Sequence, residues 1–251
     1  MDMAKRAPVK HYLVVGDAHH PYVDPVAWGL MLKVARAVQV YGIVVMGDFV
    51  DCYEVSTHER SPERKLSFRQ EIRSANKALD QLDALGAVDK PFLFGNHEYR
   101  VDRYLANEAS ALKGLVTMSS LLKLKQRGWK PVPYRQSVRI GAMNFTHETG
   151  SAGVRAHLDA QAAFEGNVVI GHTHGMRMSY RGNAKGEKHV GVSIGWLGDA
   201  SKCDYMHKIQ ADKAWTTGFG LGYLEADGFF HIDPVPIING RCRAHGRVWH
   251  A

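Results

Sequence analysis

Ile43-Val44-Val45-Met46-Gly47-Asp48-Phe49-Val50-Asp51 joins an apolar run to a pair of carboxylates. Its first half is a short apolar run with β-branched residues, the signature of a strand buried on both faces. It runs straight into Gly-Asp, and the C-terminal end of a buried strand is where open α/β sheets place their ligands. The pattern recurs along the chain. Tyr12-Leu13-Val14-Val15 ends in Gly16-Asp17-Ala18-His19, and Pro91-Phe92-Leu93-Phe94 ends in Gly95-Asn96-His97-Glu98. Met143-Asn144-Phe145-Thr146 ends in His147, and Val168-Val169-Ile170 ends in Gly171-His172-Thr173-His174. Strand after strand delivers Asp, Asn or His at the same end, which is the layout of a metal site.

The segments between these strands read as crossovers. Asp24 can cap a helix that opens on Pro25, with Val26, Leu30, Val34, Val38 and Tyr41 on one stripe. A polar stretch from Cys52 to Lys65 reads as a loop near the site. A second helix over about 66–85 keeps Ile72, Ala75, Leu79, Leu82 and Leu85 together and stops at Gly86. Each strand-helix-strand step implies parallel pairing with a right-handed crossover. Residues 99–124 read as irregular helix that ends at Lys130-Pro131-Val132-Pro133. A hairpin follows around Gly141-Ala142, then a short helix over 154–164. Beyond His174 the pattern turns to strands, with Asp227-Gly228 as a hairpin turn. Residues 195–217 read as a mixed insertion whose Trp196, Tyr205 and Trp215 either wall a cleft or pack as core.

Length and composition agree with one domain spanning 1–251: 251 residues at 45% hydrophobic content can bury a full core. The basic ends, 1–10 and 239–251, are expected to be flexible tails. No apolar run approaches the ~18 residues of a membrane span, and Met1 to Arg6 lacks a secretory apolar stretch, so a cytoplasmic protein is expected. Three widely spaced cysteines argue against a disulfide framework. A net charge of +7 favours a polyanionic partner.

The chemistry follows from the strand ends. Asp17 and His19 can both turn toward one ion, and the two oxygens of Asp48 can bridge two. Asn96, His147 and His172 supply three further ligands, and His174 can return to the first ion. Two ions ~3.5–4 Å apart can hold an activated water and both sides of a phosphoryl group. A shell of Asp, His and Asn without thiolate suits Mn²⁺, with Fe²⁺ or Zn²⁺ as alternatives, over hard Mg²⁺ or Ca²⁺.

The ordered set Asp-x-His, Gly-Asp-x-x-Asp, Gly-Asn-His-Glu, His and Gly-His-x-His, between Tyr12 and His174, resembles the calcineurin-like metallophosphoesterases. The resemblance implies an α/β fold, a four-layer αββα sandwich around mixed sheets. It also implies one ion on Asp17, His19, Asp48 and His174 and a second on Asp48, Asn96, His147 and His172. His97 matches the family histidine that contacts the phosphate or protonates the leaving group. The Arg-Gly that phosphoprotein phosphatases of this superfamily carry after the second Asp is missing here, so that activity is not implied. Asp51 is expected to orient a metal-bound histidine, and Glu98 to support the site or form a salt bridge.

For substrate, His20 adjoins the first motif and Arg100 lies just past the Asn-His pair, within reach of a phosphate. Residues 109–147 contain no acidic side chain, yet hold Lys123, Lys125, Arg127 and Lys130, a composition suited to a nucleic-acid backbone. With no large cap between the motifs, the expected activity is that of a DNA nuclease. A phosphomonoesterase or small-nucleotide phosphodiesterase is the alternative, and an inactive protein-binding scaffold the third reading.

Overall fold

The computed structural model describes residues 8–57, 66–202 and 214–251. The first half alternates strands and helices: β1 (Lys10–Val15), α1 (Pro25–Val38), β2 (Gly42–Val45), α2 (Phe68–Asp83), β3 (Pro91–Leu93) and α3 (Asn96–Glu108). A short α4 (Met118–Leu121) and β4 (Lys130–Val132) follow. Then come β5 (Ser137–Ile140), β6 (Met143–Thr146), α5 (Ala156–Phe164) and β7 (Asn167–Ile170). The chain continues through β8 (Met176–Gly182), β9 (Lys188–Ile194), β10 (Gly218–Leu224) and β11 (Phe230–Pro236), and closes with β12 (Arg241–Ala244) and β13 (Arg247–His250).

Two mixed sheets result. One has the order β11-β10-β1-β2-β3-β4, parallel from β1 to β4 and antiparallel at the β10 and β11 edge. The other has the order β5-β6-β7-β9-β8, with β6, β7 and β9 parallel and antiparallel strands at both edges. Side chains alternate across each strand and so divide into three cores. Tyr12, Val14, Val44 and Met46 face Met143, Phe145, Val169 and Val192 of the second sheet. Leu13, Val15, Ile43 and Val45 face the other way, onto α1 and α2. On the far side of the second sheet, Val168 and Ile170 pack on Ala156 and Ala160 of α5. The layers are therefore helix, sheet, sheet, helix, as expected, and strands buried on both faces explain why the sequence shows apolar runs rather than alternation.

Local chemistry sets several boundaries. The Asp24 carboxylate accepts from the backbone N–H groups of Val26 and Ala27, with Pro25 as the first helical residue. Two expectations need correction. Lys130-Pro131-Val132 does not merely terminate a helical region but forms β4, the edge strand of the first sheet, where proline is tolerated. Residues 239–251 are not a loose tail. They fold into the β12–β13 hairpin, which buries Cys242, Ala244 and Trp249 in the same core as α1, and the Lys33 ammonium donates to the His250 carbonyl. At the other end, Lys10 already belongs to β1, and residues 1–7 lie outside the described residues, as do 58–65 and 203–213. No helix among the described residues is long and apolar enough to cross a membrane.

Candidate metal centre

The C-terminal ends of β1, β2, β3, β6 and β7 meet at one edge of the sandwich, each followed within a few residues by a ligand-type side chain. Two groups form there: Asp17, His19 and His174, and Asp48, His147 and His172, each with candidate ligand atoms within 4.8 Å of one another. Asn96 joins the second group, its Oδ1 lying 3.1 Å from His147 Nε2. All seven candidate ligands are brought together, five buried and Asn96 and His172 partly buried.

The glycines before the ligands have a steric reason. A Cβ on Gly95 would lie 2.1 Å from Asp48 Oδ1, and one on Gly171 would lie 2.7 Å from Asp17 Oδ1. Backbone strain concentrates at the same place. His19, Asp48, His172 and His174 all adopt the left-handed region, at φ of 48°, 46°, 63° and 54°. Non-glycine residues hold that conformation only where the surroundings over-determine it, and such residues cluster at functional sites.

The hydrogen-bond roles around His147 call for a proton or a cation beside its second nitrogen. His147 Nδ1 lies 2.9 Å from the Met46 carbonyl, which can only accept, so Nδ1 carries the proton. Its Nε2 then faces two oxygens, Asn96 Oδ1 at 3.1 Å and Asp48 Oδ2 at 3.4 Å. Lone pairs opposed in this way demand a proton or a cation. Burial pulls the His147 pKa down, but the Asp48 carboxylate outweighs it and pushes the imidazole up to about 10. In the other group, His19 Nε2 and His174 Nε2 face each other at 3.0 Å. Asp17 lies beside them with both oxygens buried and no well-aligned hydrogen bond among the described residues, although Oδ2 is 3.2 Å from His174 Nε2. A buried carboxylate without donors is costly unless a cation is its partner. The donor set, all oxygen and imidazole nitrogen, fits divalent metal ions.

Around the ligands sits a supporting ring. Asp51 Oδ1 lies 3.2 Å from His19 Nδ1 and 3.3 Å from His97 Nδ1. Among the described residues, Glu98 neither meets a histidine nor forms a salt bridge. Its buried carboxylate accepts from four backbone N–H groups, those of Asp48, Phe49, Val50 and Gly95, at 2.8–2.9 Å, and so pins the turn that carries Asp48. His97 Nδ1 donates to the Asp51 carbonyl at 2.7 Å, and its Nε2 accepts from the Arg100 guanidinium at 2.8 Å. Burial lowers the His97 pKa, and His19 and Arg100 push the same way against Asp48 and Asp51.

Layers and ligand ring are what the resemblance to the calcineurin-like metallophosphoesterases implies. No family model matches the chain. The curated Gene 54 protein of Mycobacterium phage L5 is 27% identical over 258 residues, covering 96% of this chain and 98% of that one. Among solved structures, a single mutant of Vps29 from Entamoeba histolytica is similar at 13% identity and a TM-score of 0.49, with 95% of this chain and 96% of that one covered. The Yfce phosphoesterase from E. coli is similar at 12% identity and a TM-score of 0.42, covering 89% and 98%. A dimetal phosphatase from Danio rerio has 11% identity and a TM-score of 0.42, covering 88% and 94%.

The expected substrate residues fare differently from the ligands. His20 is buried between the rings of Trp28 and Phe49, where burial drives its pKa down to about 3, so it faces core rather than substrate. Arg100 is buried and directed inward, also donating to the Asp51 carbonyl at 2.9 Å. Arg127 is held by Asp80 and Asp83 at 2.7 Å each, and Lys130 by Asp89 at 2.7 Å. Those acids lie on α2 and just before β3, outside the acid-free stretch, so sequence proximity could not reveal them. Lys123 and Lys125 are exposed and line a cavity of about 660 Å³ beside the site. Trp196 is buried and stacks on His174 at 4.8 Å, with Trp215 edge-on to the same ring at 4.4 Å. Tyr205 lies outside the described residues. Sequence reading passed over Tyr99 and Tyr134, which line a cavity of about 430 Å³ together with Asn96 and Arg135, a cation of the acid-free stretch. Tyr99 adjoins the Gly-Asn-His-Glu block, but nothing in the local pattern marks Tyr134.

Proposed function

We propose that the chain is a two-metal phosphoester hydrolase, and within that class a Mn²⁺-dependent phosphodiesterase that cuts DNA. The observation that carries the hydrolase reading is the convergence of two ligand groups in which His147 Nε2 faces two oxygens and Asp17 has no well-aligned donor among the described residues. Divalent ions held there would supply an activated water at neutral pH and neutralise charge on a phosphoryl group.

The chain's own residues support that chemistry. Asp51 orients His19 and steadies His97, and Glu98 keeps the Asp48 turn from relaxing. His97 is neutral as hydrogen-bonded here, its Nε2 lone pair directed at Arg100. The two side chains act as a unit. While Arg100 holds Nε2, the pair offers charge to phosphoryl oxygens, and proton delivery to a leaving group requires Arg100 to release that nitrogen. His97→Ala should lower turnover by ~10²–10⁴-fold while sparing metal content. If His97 is the proton donor, the loss shrinks for esters with good leaving groups. Equal losses for good and poor leaving groups assign it to charge stabilisation alone.

The nuclease reading draws support from the net charge of +7 and from exposed Lys123 and Lys125 beside the centre. The ion pairs of Arg127 and Lys130 favour a second reading, a hydrolase of small phosphoesters, because they remove two of the four cations expected to track a backbone. A panel of single- and double-stranded DNA, RNA, cyclic nucleotides and an aryl phosphate, each with Mn²⁺, Fe²⁺, Zn²⁺ and Mg²⁺, separates the two. Cleavage of DNA with Mn²⁺ as best activator is expected. Turnover of small esters alone selects the second reading, and no turnover with any metal overturns both.

A further inference from the structure

Two cavities adjoin across a single ridge. The nearer, about 430 Å³, is lined by the candidate ligand Asn96 and by Arg100, Arg103 and Arg135. The farther, about 660 Å³, is lined by none of the candidate ligands and has Phe94, Pro131 and Pro133 in its wall. Tyr99 and Tyr134 line both. Their rings stack at 5.0 Å and 29°, and the Tyr134 hydroxyl donates to Glu148, which immediately follows the ligand His147. The ridge is therefore tied to the metal centre from both sides, by Tyr99 on α3 three residues past Asn96 and by Tyr134 through Glu148.

The composition of the two cavities differs in a way that describes a ligand. Beside Asn96, Arg103 and Arg135, the latter 3.9 Å from Glu148, are backed by the inward-directed Arg100 and form an anion pocket where guanidinium groups suit phosphate oxygens. Across the ridge the wall is aromatic ring, proline and methionine, with Asp102 and the hydroxyls of Thr117 and Ser119 at its rim. Flat apolar surface with a few acceptors matches a heterocycle that stacks on its faces and donates from its edge. Tyr99 is 44% exposed, so much of its ring is unused by the fold. Lys123 and Lys125 stand at the same cavity with no ion pair among the described residues, in keeping with an anionic ligand that continues past the base.

We infer that the farther cavity is a nucleobase subsite: a nucleotide whose phosphodiester reaches the metal centre lodges its base beyond the Tyr99–Tyr134 ridge. This rests on the phosphoester-hydrolase reading and narrows it to nucleotidic substrates.

The test compares two diesters with the same 4-nitrophenolate leaving group, bis(4-nitrophenyl) phosphate and a nucleoside 5′-(4-nitrophenyl) phosphate, on Mn²⁺-loaded full-length protein. The nucleoside ester should show a KM lower by at least about tenfold, the scale of one base–aromatic stack. Tyr99→Leu, at an exposed position where folding is not at stake, should erase most of that advantage, and Asp102→Asn should reduce it in a base-dependent way. Equal KM values in wild type, or equal losses for both esters in Tyr99→Leu, overturn the subsite and leave the hydrolase reading standing. If neither ester is cut, the hydrolase reading fails, and calorimetric binding of a nucleoside 5′-monophosphate against phenyl phosphate decides the subsite alone. A tenfold preference that Tyr99→Leu abolishes supports it, and equal binding overturns it.

Discussion

The ligand ring sits at strand ends and the wall cations on and around β4, and the two are built on opposite principles. Ring side chains are mostly buried and fixed by partners: Asp48 alone has its N–H on Glu98, one oxygen on the His97 N–H and the other beside His147. Wall side chains such as Lys123, Lys125 and Arg135 are exposed, and two of its cations have been drawn into ion pairs with α2 and the approach to β3. A ring residue is determined by every neighbour, whereas a wall cation is determined by whichever acid folds against it. Damage to the ring should therefore be large and collective, and damage to the wall small and separable.

Asp48→Asn tests the ring most severely. With Asp48 set between the two groups, its loss should cut turnover by about 10³-fold or more, the scale of removing a main electrostatic stabiliser, and lower bound metal measured by elemental analysis. Wild-type activity at full metal content would break the assignment of the ring. Glu98→Ala comes next. It strands four buried N–H donors, at about 1–3 kcal/mol for each left unsatisfied, so a loss of several kcal/mol in denaturant unfolding is expected. Glu98→Gln retains acceptor capacity and should lose less. An Ala variant as stable as wild type would mean that the turn holds itself.

The same contrast explains what was legible in the sequence. Ring residues lie at strand ends, and parallel strands of one sheet end together, so a one-dimensional pattern of apolar run followed by Asp, Asn or His already encodes three-dimensional convergence. The four layers were legible for a related reason, since runs such as Ile43-Val44-Val45 need cover on both faces. The wall had no such code. Arg127 looked free because its partners Asp80 and Asp83 lie more than forty positions earlier on another helix. His20 looked like a site residue because it follows His19, yet the left-handed turn at His19 sends the next side chain into the core against Trp28. The tail residues 239–251 read as polar, and only their alternate residues, Cys242, Ala244 and Trp249, find a core.

Proton competition should separate ring from wall by pH. Without metal, His147 sits at about 10 in the folded chain against about 6.5 unfolded, so its contribution to stability is fully present below pH 6.5 and lost as pH rises through about 10. Burial and the charge of Asp48 push Glu98 up to about 7, which adds to the same decline near its lower edge. Metal-loaded protein has no proton on that nitrogen, so it should lack the decline, and metal affinity should climb with pH as the proton leaves. Thermal unfolding with and without chelator from pH 6.5 to 10 measures this. Parallel profiles would show that His147 holds no metal.

The smallest effects belong to the wall. Arg127 and Lys125 are two positions apart, equally charged and equally part of the acid-free stretch, but among the described residues only Arg127 is committed to acidic partners, at 2.7 Å from both Asp80 and Asp83. Arg127→Gln should therefore cost about 1 kcal/mol of stability, as for a partly exposed ion-pair network, with little change in the salt dependence of DNA cleavage. Lys123→Gln with Lys125→Gln should do the reverse: stability holds, KM for single-stranded DNA rises, and the log–log salt slope flattens by ~0.7 for each phosphate that is no longer neutralised. The pairing matters because both variants change net charge in the same direction. If the slope flattened equally with Arg127→Gln, the effect would come from overall charge and the wall would have no track. If neither variant moved it, phosphate recognition would lie with Arg103 and Arg135 beside the ring, and the small-phosphoester reading would gain the advantage over the nuclease.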